Sequence, residues 1–316
     1  MDKINPRVDI AFKKIFGVEE NKDLLISLIN SIVGEEDQVE EVTLLNPYNA
    51  KSFKKDKLSI LDIKAKGVDG KRFNIEIQIS DEGDYDKRAL YYWAKLYTEQ
   101  LETSQDYLNL SKAIGIHILN FTSIPSVKKC HNVFHITEKE SGVHYFKNLE
   151  LHTIELKKFS ENPREDLEDI TNKVKNALDM WMAFLTRNDL LNKDHLPPEL
   201  DNAALKKALA VLDVMNFSPE ERELYEGQLK WMRVEASTLK KYKDDGFKEG
   251  EAIGIEKGRE EGREEGREEG KDINAQNTAR KMIKDKMDIE KIIKFTELTR
   301  EKIEELITEE ETPENE

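Results

Sequence analysis

Apolar residues recur at helical spacing near the start of the chain. Phe12, Ile15, Phe16, Leu24, Leu25, Leu28, Ile29 and Ile32 share one face of a 3.6-residue repeat. They predict an amphipathic helix over 9–33, broken near Gly17 and stopped by Gly34. Val39–Leu45 reads as a first strand. From 57 to 80 the period becomes two. Leu61, Ile63 and Ala65 alternate with Asp62, Lys64 and Lys66, while Phe73, Ile75, Ile77 and Ile79 alternate with Arg72, Asn74, Glu76 and Gln78. This predicts paired strands over 57–66 and 71–80, each with one apolar face. A second helix is predicted over 84–103, with Leu90, Trp93, Leu96, Tyr97 and Leu101 on one stripe and Tyr91 assigned to the core. Ala113–Phe121 (AIGIHILNF) reads as a buried strand, and 131–137 and 149–156 as two more. Beyond 161 the pattern is helical, with stripes at Trp181, Phe184, Leu185 and at Leu205, Leu209, Leu212, interrupted at Leu196-Pro197-Pro198. The element order predicts an α/β fold: a mixed sheet flanked by helices, followed by an all-α C-terminal extension. The expected divisions are 1–160, 161–240, 241–272 and 273–316.

The two strands of 57–80 are joined through Gly67-Val68-Asp69-Gly70. A three-residue loop, Val68 to Gly70, suits a type I turn followed by a residue of positive φ, where glycine is favoured. Residue 65 then pairs with 73, 63 with 75, and 62 with 76. Opposed residues point to the same face, so Asp62 meets Glu76 and Gln78 follows one pleat period later. Lys64, Lys66, Arg72 and Asn74 share that face. A two-residue loop at Asp69-Gly70 would change the parity and part the acids.

Two carboxylates this close repel, and a bound cation removes the conflict. Oxygen ligands without a His or Cys cluster point to Mg²⁺, Mn²⁺ or Ca²⁺ rather than zinc. Such a cation can polarise a phosphate and activate water. Gln78 can orient that water but carries no charge, which leaves Lys64, on the same face, as the candidate to supply it. Arg88 reads either as a phosphate or carboxylate clamp or as a surface ion pair.

Asp62, a hairpin and Glu76-Ile77-Gln78 resemble the core of the PD-(D/E)XK nucleases, with Gln in place of the usual Lys. The opening Asp9-Ile10-Ala11-Phe12-Lys13-Lys14-Ile15-Phe16-Gly17, the segment ILDIKAKGVDGKRFNIEIQ, and Arg88 followed by Tyr91-Tyr92-Trp93 resemble the Rpn family of recombination-promoting nucleases and transposases over roughly residues 5–160. The resemblance implies a restriction-endonuclease-like sheet and a metal-dependent DNA endonuclease. It carries over Asp62, Glu76 and Gln78 as the active-site set, and Asp9 as an acidic residue lent to the metal by the first helix. The missing lysine, together with the acidic composition, keeps a second expectation open: a catalytically silent protein that retains the fold and assembles complexes through its tail.

The formal net charge is −15. Residues 1–130 hold 19 Lys and Arg against 21 Asp and Glu, leaving 31 against 44 for the remainder. The acidity therefore lies mostly outside the segment bearing the proposed site. Lys51, Lys54, Lys55 and Lys57 cluster just before the first acidic strand and are candidates for phosphate contact, against the plainer reading of a solvated loop. The single cysteine, Cys130, excludes an intramolecular disulfide and a cysteine-based zinc site. No apolar signal region or membrane-length apolar run is present, and a cytoplasmic protein is expected. His117, His131 and His135 sit on strand-like segments and read as structural.

Glycine occurs at every fourth position from Gly246 to Gly270, around GREEGREEGREEG. Each glycine weakens a helix by about 0.8–1.0 kcal/mol relative to alanine. The i,i+4 rows carry like charges, Arg259, Arg263 and Arg267 on one and Glu260, Glu264 and Glu268 on the next, which opposes an isolated helix. A glycine row also admits close backbone approach, and an Arg row can face a Glu row. Homo-oligomerisation through 240–272 is the expectation, with a marginal helix or solvated linker as the alternative. Residues 279–307 read as a short helical pair, whose acidic surroundings at Glu301, Glu304 and Glu305 suit a protein contact better than DNA.

Overall fold

The computed structural model describes residues 3–48, 62–80, 83–102 and 105–311. Two compact units are present, residues 1–235 and 236–316. Among the described residues of the first, six strands form one mixed sheet in the order β1-β2-β3-β4-β6-β5. These are β1 (Val42–Leu44), β2 (Ile63–Gly67), β3 (Arg72–Gln78), β4 (Ala113–Leu119), β5 (His131–Thr137) and β6 (His144–Glu155). β1, β2 and β3 are antiparallel neighbours, β4 runs parallel to both β3 and β6, and β5 returns antiparallel on β6.

The apolar halves of the strands make the core. Ile63, Ala65, Phe73, Ile75 and Ile77 join Ile114, Ile116, Ile118 and Ile154 beneath α1 (Asp9–Phe16), α2 (Lys22–Ile32) and α6 (Ala177–Arg187). The expected helix over 9–33 is two helices, parted at Gly17, whose N–H closes α1 on the Lys13 carbonyl. Trp181, Phe184, Leu205, Leu209 and Leu212 are buried in the same cluster as the sheet, the last three on α7 (Ala203–Val214). The short helices α4 (Leu156–Phe159) and α5 (Leu167–Lys173) link sheet and bundle.

α3 (Tyr85–Thr98) covers the other face of the sheet, over β3 and β4. Here two expectations fail. Leu90 and Tyr91 are 53% and 63% exposed. The reason is the character of the surface beneath: α3 lies on the polar side of β3, where Tyr85, Arg88 and Trp93 sit beside the buried Ala89 and Leu96. Trp93 Nε1 donates to the Ala113 carbonyl at 2.7 Å.

α8 (Pro219–Lys284) begins in the first unit and ends in the second. Residues 246–270 are helical and exposed along their whole length. In the second unit, Ala279 packs with Ile292 of α9 (Ile289–Thr296), Leu298, and Ile303 and Leu306 of α10 (Arg300–Glu311). This small core matches the helical pair read from the sequence. No described helix is long and apolar enough to cross a membrane.

Candidate active site

The turn decides the site. Ile63 pairs with Ile75, Lys64 with Asn74, Ala65 with Phe73 and Lys66 with Arg72. Gly67 N–H donates to the Lys71 carbonyl at 2.9 Å and Gly70 N–H to the Gly67 carbonyl at 3.0 Å. The loop is therefore Val68-Asp69-Gly70, with Gly70 at φ +90°, a conformation that side chains disfavour. The ladder ends at Ile63 and Ile75, one residue short of Asp62 on one strand and of Glu76 on the other.

Burial pushes the Glu76 carboxyl up to about 6; Arg88 opposes the shift and the negative charge of Asp62 adds to it. The Arg88 guanidinium donates to Glu76 Oε1 and to Gln78 Oε1, each at 3.3 Å. Arg88 is thus ion-paired to Glu76, with its side chain about one third exposed. Lys64 Nζ reaches Glu99 of the loop after α3 at 3.2 Å, and its backbone N–H donates to Asn46 Oδ1 at 2.7 Å. Asn46 Nδ2 in turn donates to the Asp62 carbonyl at 3.1 Å and to Asp62 Oδ1 at 3.4 Å. Lys51, Lys54, Lys55 and Lys57 lie outside the described residues, as do 57–61 of the expected first strand.

α1 brings Asp9 to this group. Burial lifts the Asp9 carboxyl to about 7; a hydrogen bond from Gln228 opposes that shift and the charge of Glu76 adds to it. Gln228 Nε2, on α8, donates to Asp9 Oδ2 at 2.7 Å, while Asp9 Oδ1 is enclosed without a hydrogen-bond partner among the described residues. Asp9, Glu76 and Asp62 thus form a chain of interacting acids with Glu76 in the middle. Among the described residues no three His, Cys, Asp or Glu side chains are gathered into a set that would hold a metal ion. Asp9 is held by Gln228 and Glu76 by Arg88, so protein partners occupy oxygens that a tight three-ligand cage would use. The donor chemistry still fits a hard cation: carboxylate oxygens, one of them enclosed and unbonded.

Three contributors were not legible as site residues in the sequence. Lys13 is 1% exposed, and its ammonium donates to the Asp62 carbonyl. Burial pulls its pKa down to about 8, with Asp62 opposing and Lys64 reinforcing the shift. Its position four residues after Asp9 was the available signal, since i and i+4 share a helix face. Gln228 is distant in sequence and carried none. His117 sits beside Glu76 in the β3–β4 register, with Nδ1 3.9 Å from Glu76 Oε2. Both ring nitrogens are enclosed without hydrogen-bond partners among the described residues. Burial, aided by His152 and Arg88, depresses its pKa to about 4, so the ring is neutral near pH 7.

His131 and His135 belong to a separate network. His131 Nε2 meets His152 Nδ1 at 2.8 Å, and His152 Nε2 meets Glu150 Oε1 at 2.7 Å. Lys112 Nζ donates to Glu150 Oε2 at 2.8 Å and also bonds Asp37, and His135 lies 3.7 Å from Glu150.

A mixed sheet flanked by helices, with an acid pair on the hairpin β2–β3 and a further acid from the first helix, defines a PD-(D/E)XK nuclease-like fold. The chain belongs to the PD-(D/E)XK nuclease family transposases: the model of that family matches residues 6–241. No curated protein and no solved structure matches the chain.

Proposed function

We propose that this protein is a divalent-cation-dependent DNA endonuclease that hydrolyses phosphodiester bonds in recombination, mobile-element movement or defence against foreign DNA. The observation that carries the reading is the hairpin register, Ile63 against Ile75, which supports a pairing of Asp62 with Glu76; the charge of Asp62 adds to the upward shift of Glu76. Membership in a nuclease and transposase family supports it. Asp62 and Glu76 are the ligands of the cation, with Asp9 as the third acid. A bound Mg²⁺, Mn²⁺ or Ca²⁺ would polarise the scissile phosphate and lower the pKa of water. Gln78 orients the attacking water through its amide. Arg88 holds Glu76 and Gln78 in register and presents positive charge toward a phosphate. Lys64 lies on the same strand face, ion-paired to Glu99, and the Lys51–Lys57 cluster is assigned to contacts along the DNA backbone.

The test is nicking of supercoiled plasmid with each cation in turn. Asp62→Ala and Glu76→Ala are expected to lower the rate by at least about 100-fold, of the order seen when a group acting in the transition state is lost. Full cutting by either variant would refute the assignment. A second reading, a silent assembly protein, is favoured by one observation: the Arg88 guanidinium already engages Glu76 and Gln78. Wild-type protein that nicks nothing with any of the three cations would select it. Self-association through 240–272 is proposed under either reading. It rests on the exposed helix of 246–270, whose glycines have open space around the α-carbon. A chain ended at 240 that scatters light with the same particle mass per chain as the full protein would refute it.

A further inference from the structure

Lys13 is the most deeply enclosed lysine among the described residues, at 1% exposure on α1. Its neighbours in sequence, Phe12, Ile15 and Phe16, build the core. Lysine is almost never enclosed in this way unless it is paired, and an apolar side chain of similar length would cost less to bury. Packing therefore does not account for it, and its partner does. The ammonium donates to the carbonyl of Asp62, the residue just before β2. Asn46 holds the same carbonyl and one oxygen of the same carboxylate.

The neighbouring cations are committed elsewhere. Lys64 pairs with Glu99, and Arg88 spans Glu76 and Gln78. Gln78 brings no charge. Asp9 and Lys13 lie four residues apart on one face of α1, and the face delivers them separately, Asp9 toward Glu76 and Lys13 toward Asp62. One helix thus supplies an acid to the second strand of the hairpin and a cation to the first.

We propose that Lys13 is the positioning residue of Asp62: its enclosed ammonium, bonded to the Asp62 carbonyl, fixes the approach to β2 and leaves a fixed positive charge near the carboxylate that a divalent cation would meet. The proposal rests on the reading of Asp62 as a cation ligand. It does not need Lys13 to touch DNA, and its burial argues that it does not.

Its consequence has a sign that a purely structural role lacks. A positive charge beside a ligand weakens cation binding by repulsion while it holds the ligand in its working position. In the full-length protein, Lys13→Met is therefore expected to bind Ca²⁺ or Mn²⁺ several-fold more tightly by titration calorimetry. The same variant is expected to nick plasmid at least about tenfold more slowly at saturating Mn²⁺, the scale of losing a residue that orients a ligand. Lys13→Arg keeps the charge and should keep the parent's cation affinity within about twofold. Lys13→Gln gives the same reading as Lys13→Met should the latter not fold. Weaker or unchanged cation binding in the neutral variants would overturn the proposal, as would an Arg variant that shifts as far as they do. A parent that binds the cation but cuts no DNA would sink the nuclease reading alone, since the binding comparison still decides Lys13. A parent that binds no cation would overturn both.

Discussion

Glu76 and Glu150 are the same residue in the same sheet, on β3 and β6, with side chains 16% and 6% exposed. Their carboxyls are driven in opposite directions. Burial lifts Glu76 to about 6, despite Arg88. Burial pushes Glu150 upward as well, but hydrogen bonds from His152 and Lys112 outweigh it and hold the group at about 2. The difference is the company each keeps. Glu150 has two close donors, at 2.7 and 2.8 Å, which repay its removal from water. Glu76 has one long contact to Arg88, like-charged Asp62 and Asp9 around it, and a neutral His117 that donates nothing. A buried charge with its partners in place is structure; one left short of them is held ready for a ligand from outside. Asp9, with one oxygen bonded and the other enclosed and bare, belongs with Glu76.

The comparison is most exposed to a change at the satisfied end. Glu150→Gln removes the anion that His152 and Lys112 both address, and should destabilise the fold by about 3 kcal/mol, the scale of breaking a buried ion pair. Plasmid nicking per folded molecule should be unchanged. Thermal unfolding that shows no loss would mean that the network is ornamental and that the contrast with Glu76 is empty.

The opposite sign is expected at the other end. The folded-state pKa of Glu76 is raised, so its ionised form costs stability above about pH 6 and nothing below the unfolded value. Glu76→Gln should therefore stabilise the protein at pH 8 by about 1 kcal/mol, less than the full conversion of the shift at about 1.36 kcal/mol per unit because the Arg88 contact is lost with the charge. The gain should vanish by pH 4.5. Unfolding midpoints measured at the two pH values check both parts, and a destabilised variant at pH 8 would contradict the account of the site.

The pH dependence is the most diagnostic. Asp9 and Glu76 have raised folded-state pKa values, so each adds stability as the pH falls through about 7 and 6. His117 is depressed to about 4: the unfolded chain takes its proton near 6.5 while the folded chain does not, and stability falls over that interval. Between pH 7 and 5 these trends oppose one another. In an Asp9→Asn, Glu76→Gln double variant only the histidine side remains, and that step should cost about 3 kcal/mol more than in the parent, the larger share of it from Asp9. Parallel pH profiles for the two proteins would rule out the opposition.

The hairpin was legible because its determinants are local. Gly67 to Gly70 set the register, and the alternation of Ile63, Ala65, Phe73 and Ile75 against Asp62, Lys64, Asn74 and Glu76 fixed the faces. The core stripes at Trp181 and Leu205 were legible for the same reason. What surrounds the acids was not. Lys13 reaches Asp62 across 49 residues and Gln228 reaches Asp9 across 219, and no local period records such meetings. Leu90 and Tyr91 misled because a helix stripe is read on the assumption of an apolar partner, and α3 rests on polar β3. The Glu150 network leaves no local signal either, because His131 and His152 touch only across the β5–β6 pairing.

The connection ending at Gly70 works as the reading frame of the acid set. A Cβ there would sit 2.6 Å from Ser111 Oγ as well as on a disfavoured backbone, so the residue is held in place from two sides. Adding or deleting one residue in Val68-Asp69-Gly70 would turn β3 over against β2, sending Glu76 into the oil and Ile75 and Ile77 out beneath α3. Substitutions along the strands change one contact each, whereas an indel in this loop changes all of them together. Lineages descended from this chain should therefore vary far more in the letters of the hairpin than in the length of its tip.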